Sequence, residues 1–171
     1  MSATAVKDSP SPLELLRRPR AEAIRGALDA MAIMDDVVRE EAAQVIRTLE
    51  AWDEVRSALI ERPAEAVEAV VFINEPSLVR DVAALADDPS PEVRAAVVSA
   101  LTRLAAADYQ ALFSRQLADP HPTVRGLAAL GLARAPGAET EATLRGALAS
   151  ETDVGARVLI TDALWSVTGG W

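Results

Sequence analysis

Asp88-Pro89-Ser90-Pro91-Glu92-Val93-Arg94 and Asp119-Pro120-His121-Pro122-Thr123-Val124-Arg125 are one phrase, D-P-x-P-x-V-R, written twice at an offset of 31 residues without a gap. The register continues past the phrase, because Ala100-Leu101 falls on Gly131-Leu132. A third, worn copy follows one residue late: Arg157 answers to Arg125, and Ala163-Leu164 to Gly131-Leu132. Self-similarity at a fixed period of this length marks an array of stacked units, none of which buries its apolar face alone.

Each unit reads as two helices joined by the Asp-Pro turn. Leu78, Val79, Val82 and Leu85 form one apolar stripe, and Val93, Ala96, Val97, Ala100, Leu101 and Leu104 form a second. Spacings of three and four residues put each set on one helix face. The Asp-Pro step explains the break between them. Asp is expected to cap the second helix and Pro to sit in its first turn, while the residue before a Pro is driven from the α region. In the next unit the stripes are Tyr109, Leu112, Phe113 and Leu117, then Val124, Leu127, Ala128, Gly131 and Leu132. The last unit pairs about Glu139–Ala149 with about Thr152–Thr168. No segment alternates with period two, so strands are not needed.

Upstream the phrase fades while the helical period persists, giving expected helices Pro12–Arg18, Arg20–Met34, Asp36–Glu50, Trp52–Glu61 and Ala64–Ile73. Asp35-Asp36-Val37-Val38-Arg39 is a faint echo of the D…V-R turn. Residues 1–11 read as a flexible tail and 12–171 as one all-α domain, with its clearest repeats at 77–106, 107–137 and 138–168. About five helix pairs account for the chain, and degenerate end repeats are expected where a unit must present a polar outer face.

D-P-x-P-x-V-R followed by A-x-x-A-L resembles the HEAT repeat, and Val124–Pro136 (VRGLAALGLARAP) is similar to the short HEAT-like repeats of phycobilisome-lyase-type proteins. The resemblance covers about Leu78–Pro136 and thins through Val167. It implies a right-handed α-solenoid of HEAT-like pairs. It also implies a structural ladder between stacked units from Asp88, Arg94, Asp119, Arg125 and Arg157. The third copy departs from that pattern, because Asp153 stands four residues before Arg157 rather than six. Such a motif is architectural and identifies no chemistry by itself.

Composition narrows the function. The 171 residues are 50% hydrophobic and 25% charged, with no cysteine, one histidine and a formal charge of −9. A chain this long buries about 70% of its unfolded surface and needs no staple to fold. Without cysteine there is no disulfide framework, thiolate zinc site or cysteine nucleophile. The acidic balance opposes binding to phosphate backbones, which relies on clustered Lys and Arg. Met1–Pro12 lacks the apolar run of a signal peptide, and charges interrupt every apolar segment, so a cytoplasmic protein with no membrane contact is expected.

The candidate chemical residues are few. His121 lies between two prolines with no nucleophile or paired base at helical spacing, and reads as a turn residue. HEAT-like deoxyhypusine hydroxylases use His-Glu pairs for iron, and this sequence has none. Asp36, Glu40 and Glu41 stand near one turn but read as a solvated face, and no metal or other cofactor is expected. HEAT-like DNA glycosylases make Arg94, Arg103, Arg125, Arg134 and Arg157 worth weighing as a basic stripe. Three of these are ladder residues, and Arg103 and Arg134 alone make no footprint against the net charge.

The surface left to work is the concave side of the second helices, which solenoids use for binding. The buried register leaves columns Ala95/Gly126/Val158, Ser99/Leu130/Asp162 and Thr102/Ala133/Trp165. Ser99, Thr102, Leu130, Ala133, Asp162 and Trp165 are the expected partner-binding residues. Trp165 has a second reading as a cap on the last repeat, Trp52 reads as packing, and Trp171 as either a plug or a grip. The expected function is a non-enzymatic protein- or peptide-binding scaffold. One alternative is an enzyme, lyase-like or chaperone subunit that handles a small molecule or modified protein in a pocket near Tyr109 and Trp165. A second alternative is a nucleic-acid-binding protein.

Overall fold

The computed structural model describes residues 11–169, and every regular element among them is helical. Ten α-helices form five consecutive pairs: α1 (Arg20–Ala30) with α2 (Asp36–Thr48), α3 (Trp52–Glu61) with α4 (Pro63–Ile73), α5 (Pro76–Ala83) with α6 (Pro91–Leu104), α7 (Gln110–Gln116) with α8 (Pro122–Arg134), and α9 (Thr140–Ser150) with α10 (Val154–Thr168). Short 3-10 helices span Pro12–Arg17 and Ala106–Tyr109. The described chain is all-α and built of about five consecutive helix pairs, as expected. The expected tail lies outside the described residues except for Ser11, whose hydroxyl accepts from the Leu13 amide as the first N-cap.

Two compact units divide between Leu78 and Val79. In the first, α2 packs on α1 and α4, α3 packs on α4, and the first 3-10 helix lies against α1 and α2. Ala42, Ala43, Val45 and Ile46 of α2 and Val67, Val70 and Ile73 of α4 are its buried centre. The break expected after Met34 comes earlier, because α1 stops at Ala30 and leaves Ile33 and Met34 exposed in the turn. Asp35 then caps α2, its Oδ1 accepting from the Val37 and Val38 amides at 2.9 and 3.1 Å. Pro63 begins α4 at its first position, and Asn74 ends it in the left-handed region, which Asn tolerates better than most residues.

In the second unit the later helices of each pair stack in file, α6 on α8 and α8 on α10, with α7 against α8 and α9 against α10. Val93, Val97, Val98, Ala100 and Leu101 of α6 are buried, as are Val124, Ala128, Ala129 and Leu132 of α8 and Ile160, Ala163 and Leu164 of α10. Two glycines let the helices close. A Cβ on Gly131 would lie 2.9 Å from the ring of the fully buried Phe113. A Cβ on Gly126 would meet Leu159 Cδ1 at 2.5 Å. Gly126 is therefore buried by the next repeat, which corrects its placement among exposed columns. The periodicity gave the right side of α8 but not what stands across from it.

Helix starts are also corrected. In D-P-x-P it is the second proline, Pro91 or Pro122, that takes the first helical turn. The cap of α6 is Ser90, whose hydroxyl accepts from the Val93 amide, and not Asp88. That frees each turn aspartate for another task.

Candidate functional site

The ladder occupies the turns between paired helices. Asp88 Oδ1 accepts from the Ser90 amide at 2.8 Å, and Asp119 Oδ1 from the His121 amide at 2.8 Å. Each carboxylate is thus held by its own turn. Six residues later an Arg returns to the same turn. Arg94 Nη1 donates to the Asp88 and Pro89 carbonyls at 2.8 and 3.1 Å, and Arg125 Nη1 to those of Asp119 and Pro120 at 2.9 and 3.1 Å.

The remaining guanidinium edge reaches forward to the next repeat. Arg94 grips Asp119 through two bonds, Nε to Oδ2 at 2.7 Å and Nη2 to Oδ1 at 2.9 Å. Arg125 grips Glu151 at 2.6 and 2.7 Å. Fork-to-fork pairing of this kind fixes both distance and orientation. Here both forks are already oriented by backbone groups, so little side-chain freedom remains to be lost.

The third rung differs from the sequence expectation. Its acid is Glu151, six residues before Arg157 like its counterparts, and not Asp153. Glu151 Oε1 accepts from the Thr152 and Asp153 amides, both at 2.9 Å. Asp153 instead caps α10 through the Ala156 amide at 2.9 Å. The inserted residue lies before this turn, since Arg125 and Glu151 are 26 residues apart where Arg94 and Asp119 are 25. Arg157 Nη1 donates to the Glu151 carbonyl at 2.7 Å and the Leu148 carbonyl at 3.1 Å.

Titration follows from this geometry. The Arg125 guanidinium, helped by two backbone amides and opposed by burial, holds the Glu151 carboxyl down at about 2. Burial pushes Asp119 up, but Arg94 and the His121 amide outweigh it and leave the carboxyl below its ordinary value. Arg94 and Arg125 are raised by the carboxylates they hold.

The faint upstream echo has the same logic. Arg39 Nε donates to the Ile33 carbonyl, six residues back, at 2.8 Å, and its Nη2 lies 3.7 Å from Glu68 on α4. Its guanidinium also sits 5.5 Å above the Phe72 ring. Phe72 and Glu68 were not foreseen as its partners; only the D…V-R echo signalled the rung.

The expected partner-binding residues fall on two columns of the second unit. Ser99 and Asp162 are exposed and Leu130 is half-buried between them. In the other column Thr102 and Ala133 are half-buried, and Trp165 is 54% exposed. Thr102 spends its hydroxyl proton on the Val98 carbonyl at 2.8 Å. The face is small-residued and mildly apolar, edged by one carboxylate.

The remaining candidates disperse. His121 is exposed at the start of α8. Glu40 pairs with Arg47 at 2.6 Å, Glu41 accepts from the Ser11 hydroxyl, and Asp36 begins α2. Among the described residues no group of three metal-ligating side chains converges. Trp52 is half-buried at the start of α3, Tyr109 is half-buried, and Arg103 and Arg134 are exposed. Trp171 lies outside the described residues. A groove of about 460 Å³ between α1 and α3 was not foreseen; it is lined by Arg20, Arg25, Arg62, Glu54 and Glu61, and the Arg20–Glu54 ion pair at 2.6 Å occupies part of its charge. No helix among the described residues is long and apolar enough to cross a membrane.

The profile of the HEAT repeat family matches residues 78–107, which hold α6 and the first of the forward-reaching arginines. Among curated proteins none matches the chain.

Proposed function

Since the chain is a HEAT-repeat protein, we propose that it is a non-enzymatic scaffold or adaptor that holds another protein or a peptide along the concave side of α6, α8 and α10. Stacked helix pairs supply a wide continuous surface, and a few aromatic and aliphatic anchors carry most of the affinity on such surfaces. The observation behind this reading is Trp165. A tryptophan 54% exposed in the column that also holds Thr102 and Ala133 is unusual on a surface without a partner. Leu130 supplies the aliphatic anchor of the neighbouring column, and Ser99 and Asp162 its polar edge.

Affinity capture from the native cell, followed by mass spectrometry, identifies the partner. Leu130→Asp or Trp165→Ala should then abolish capture of that partner while helical circular dichroism stays unchanged. Full capture by both variants would place the binding face elsewhere.

A further inference from the structure

Met34, in the turn between α1 and α2, is the most exposed large apolar side chain among the described residues, at 89%, yet its sulfur is held. Arg39 Nη2 donates to Met34 Sδ at 3.2 Å. The side chain that does this is only 12% exposed, and its Nε is fixed by the Ile33 and Met31 carbonyls at 2.8 and 3.2 Å. A thioether is a weak acceptor, whereas a positioned cationic donor bonds strongly to oxygen. Met31, three residues earlier, is 7% exposed and belongs to the core. One short segment thus offers one sulfur to solvent and keeps the other from it.

We propose that Met34 is a reversible oxidation site for a hydroperoxide, and that Arg39 latches the sulfoxide formed. A sulfur lone pair attacks the peroxide, so that an S–O bond forms as the O–O bond breaks. The departing oxygen takes the proton of the transferred one and leaves as water or an alcohol. Sulfur gives up two electrons and the peroxide accepts them. Sulfur has two lone pairs, so the contact with Arg39 does not close it to attack. The new oxygen is one bond from an atom already 3.2 Å from Nη2, and rotations within an exposed side chain bring it to that nitrogen. The competing acceptor is Glu68, which lies 3.7 Å away on an exposed side chain, so its hold on Nη2 is weak. Inside a core a sulfoxide disrupts packing, but here it adds a charge-assisted bond across the turn. Sulfoxide reductases restore the thioether.

The site belongs to the first unit, and its test is independent of the face of α6, α8 and α10. The full chain is treated with hydrogen peroxide, and each methionine is followed by peptide fragmentation. Met34 should form sulfoxide about tenfold or more faster than Met31, as its exposure requires. The protein oxidised at Met34 should unfold about 2 °C or more above the reduced protein, and should return to the reduced midpoint after enzymatic reduction. Peroxide-treated Met34→Leu corrects for Met1, which lies outside the described residues. Oxidation of Arg39→Gln should give no rise. That variant also loses the turn contacts, so a second comparison leaves Arg39 in place: Met34→Gln, with an amide oxygen of similar reach, should melt above Met34→Leu. Equal oxidation of Met34 and Met31, a midpoint that is unchanged or falls on oxidation, a rise that persists in Arg39→Gln, or a Met34→Gln no more stable than Met34→Leu would overturn the proposal.

Discussion

Arg125 and Glu151, 26 residues apart in sequence, meet through two hydrogen bonds of 2.6 and 2.7 Å while each is also held by backbone groups of its own turn. The pair is the mortise between the fourth and fifth helix pairs. Arg94 and Asp119 do the same for the third and fourth. Because both partners are positioned before they meet, the rung sets the register between repeats as well as adding to their attraction.

Glu151→Gln should therefore lower stability by about 2 kcal/mol, since Arg125 keeps its carbonyls but loses a charged acceptor. Asp153→Ala, two residues away, removes only the α10 cap and should cost about 1 kcal/mol. Urea midpoints followed by circular dichroism rank the two. The reverse order would return the third rung to Asp153.

Acid should reveal the same contact. The folded Glu151 carboxyl sits at about 2 against an ordinary 4.5, so its contribution is complete above pH 4.5 and is lost as pH falls through that window. Asp119, also lowered, adds in the same direction. Thermal unfolding of the wild type and Glu151→Gln should differ most at neutral pH and converge as pH approaches 2. A gap that stays constant with pH would contradict the assignment.

Two glycine-to-alanine changes should have opposite signs. At Gly131 a new methyl would press on the buried Phe113 ring at 2.9 Å, and a loss of about 1–3 kcal/mol is expected despite alanine's better helix propensity. At Gly146, within α9, nothing lies within 4 Å of the added carbon, and a gain of about 0.5–1 kcal/mol is expected. Paired denaturation curves decide this, and destabilisation at both sites would mean the α7–α8 contact is not the cause.

Much of this was legible in the residues themselves. The twice-written phrase located α6, α8 and their turns, and periodicity alone located α2 and α4. What it hid were contacts whose partners lie across a gap. Glu151 escaped because an inserted residue and a Glu-for-Asp exchange broke the pattern, although its six-residue spacing from Arg157 was intact. Gly126 looked exposed because a helix wheel shows a direction and not its occupant. Arg94 stands six residues after Asp88 in sequence, whereas its carboxylate partner is Asp119 of the next repeat.

The most direct test of register uses the absence of cysteine from the chain. A Cβ at Gly126 lies 3.1 Å from Leu159 Cβ, within a few tenths of an ångström of disulfide range. The double variant Gly126→Cys/Leu159→Cys should oxidise within one molecule to a disulfide seen by mass and by loss of both free thiols. Two thiols that stay titratable under oxidising conditions, or that link only between molecules, would contradict the stacking of α10 on α8.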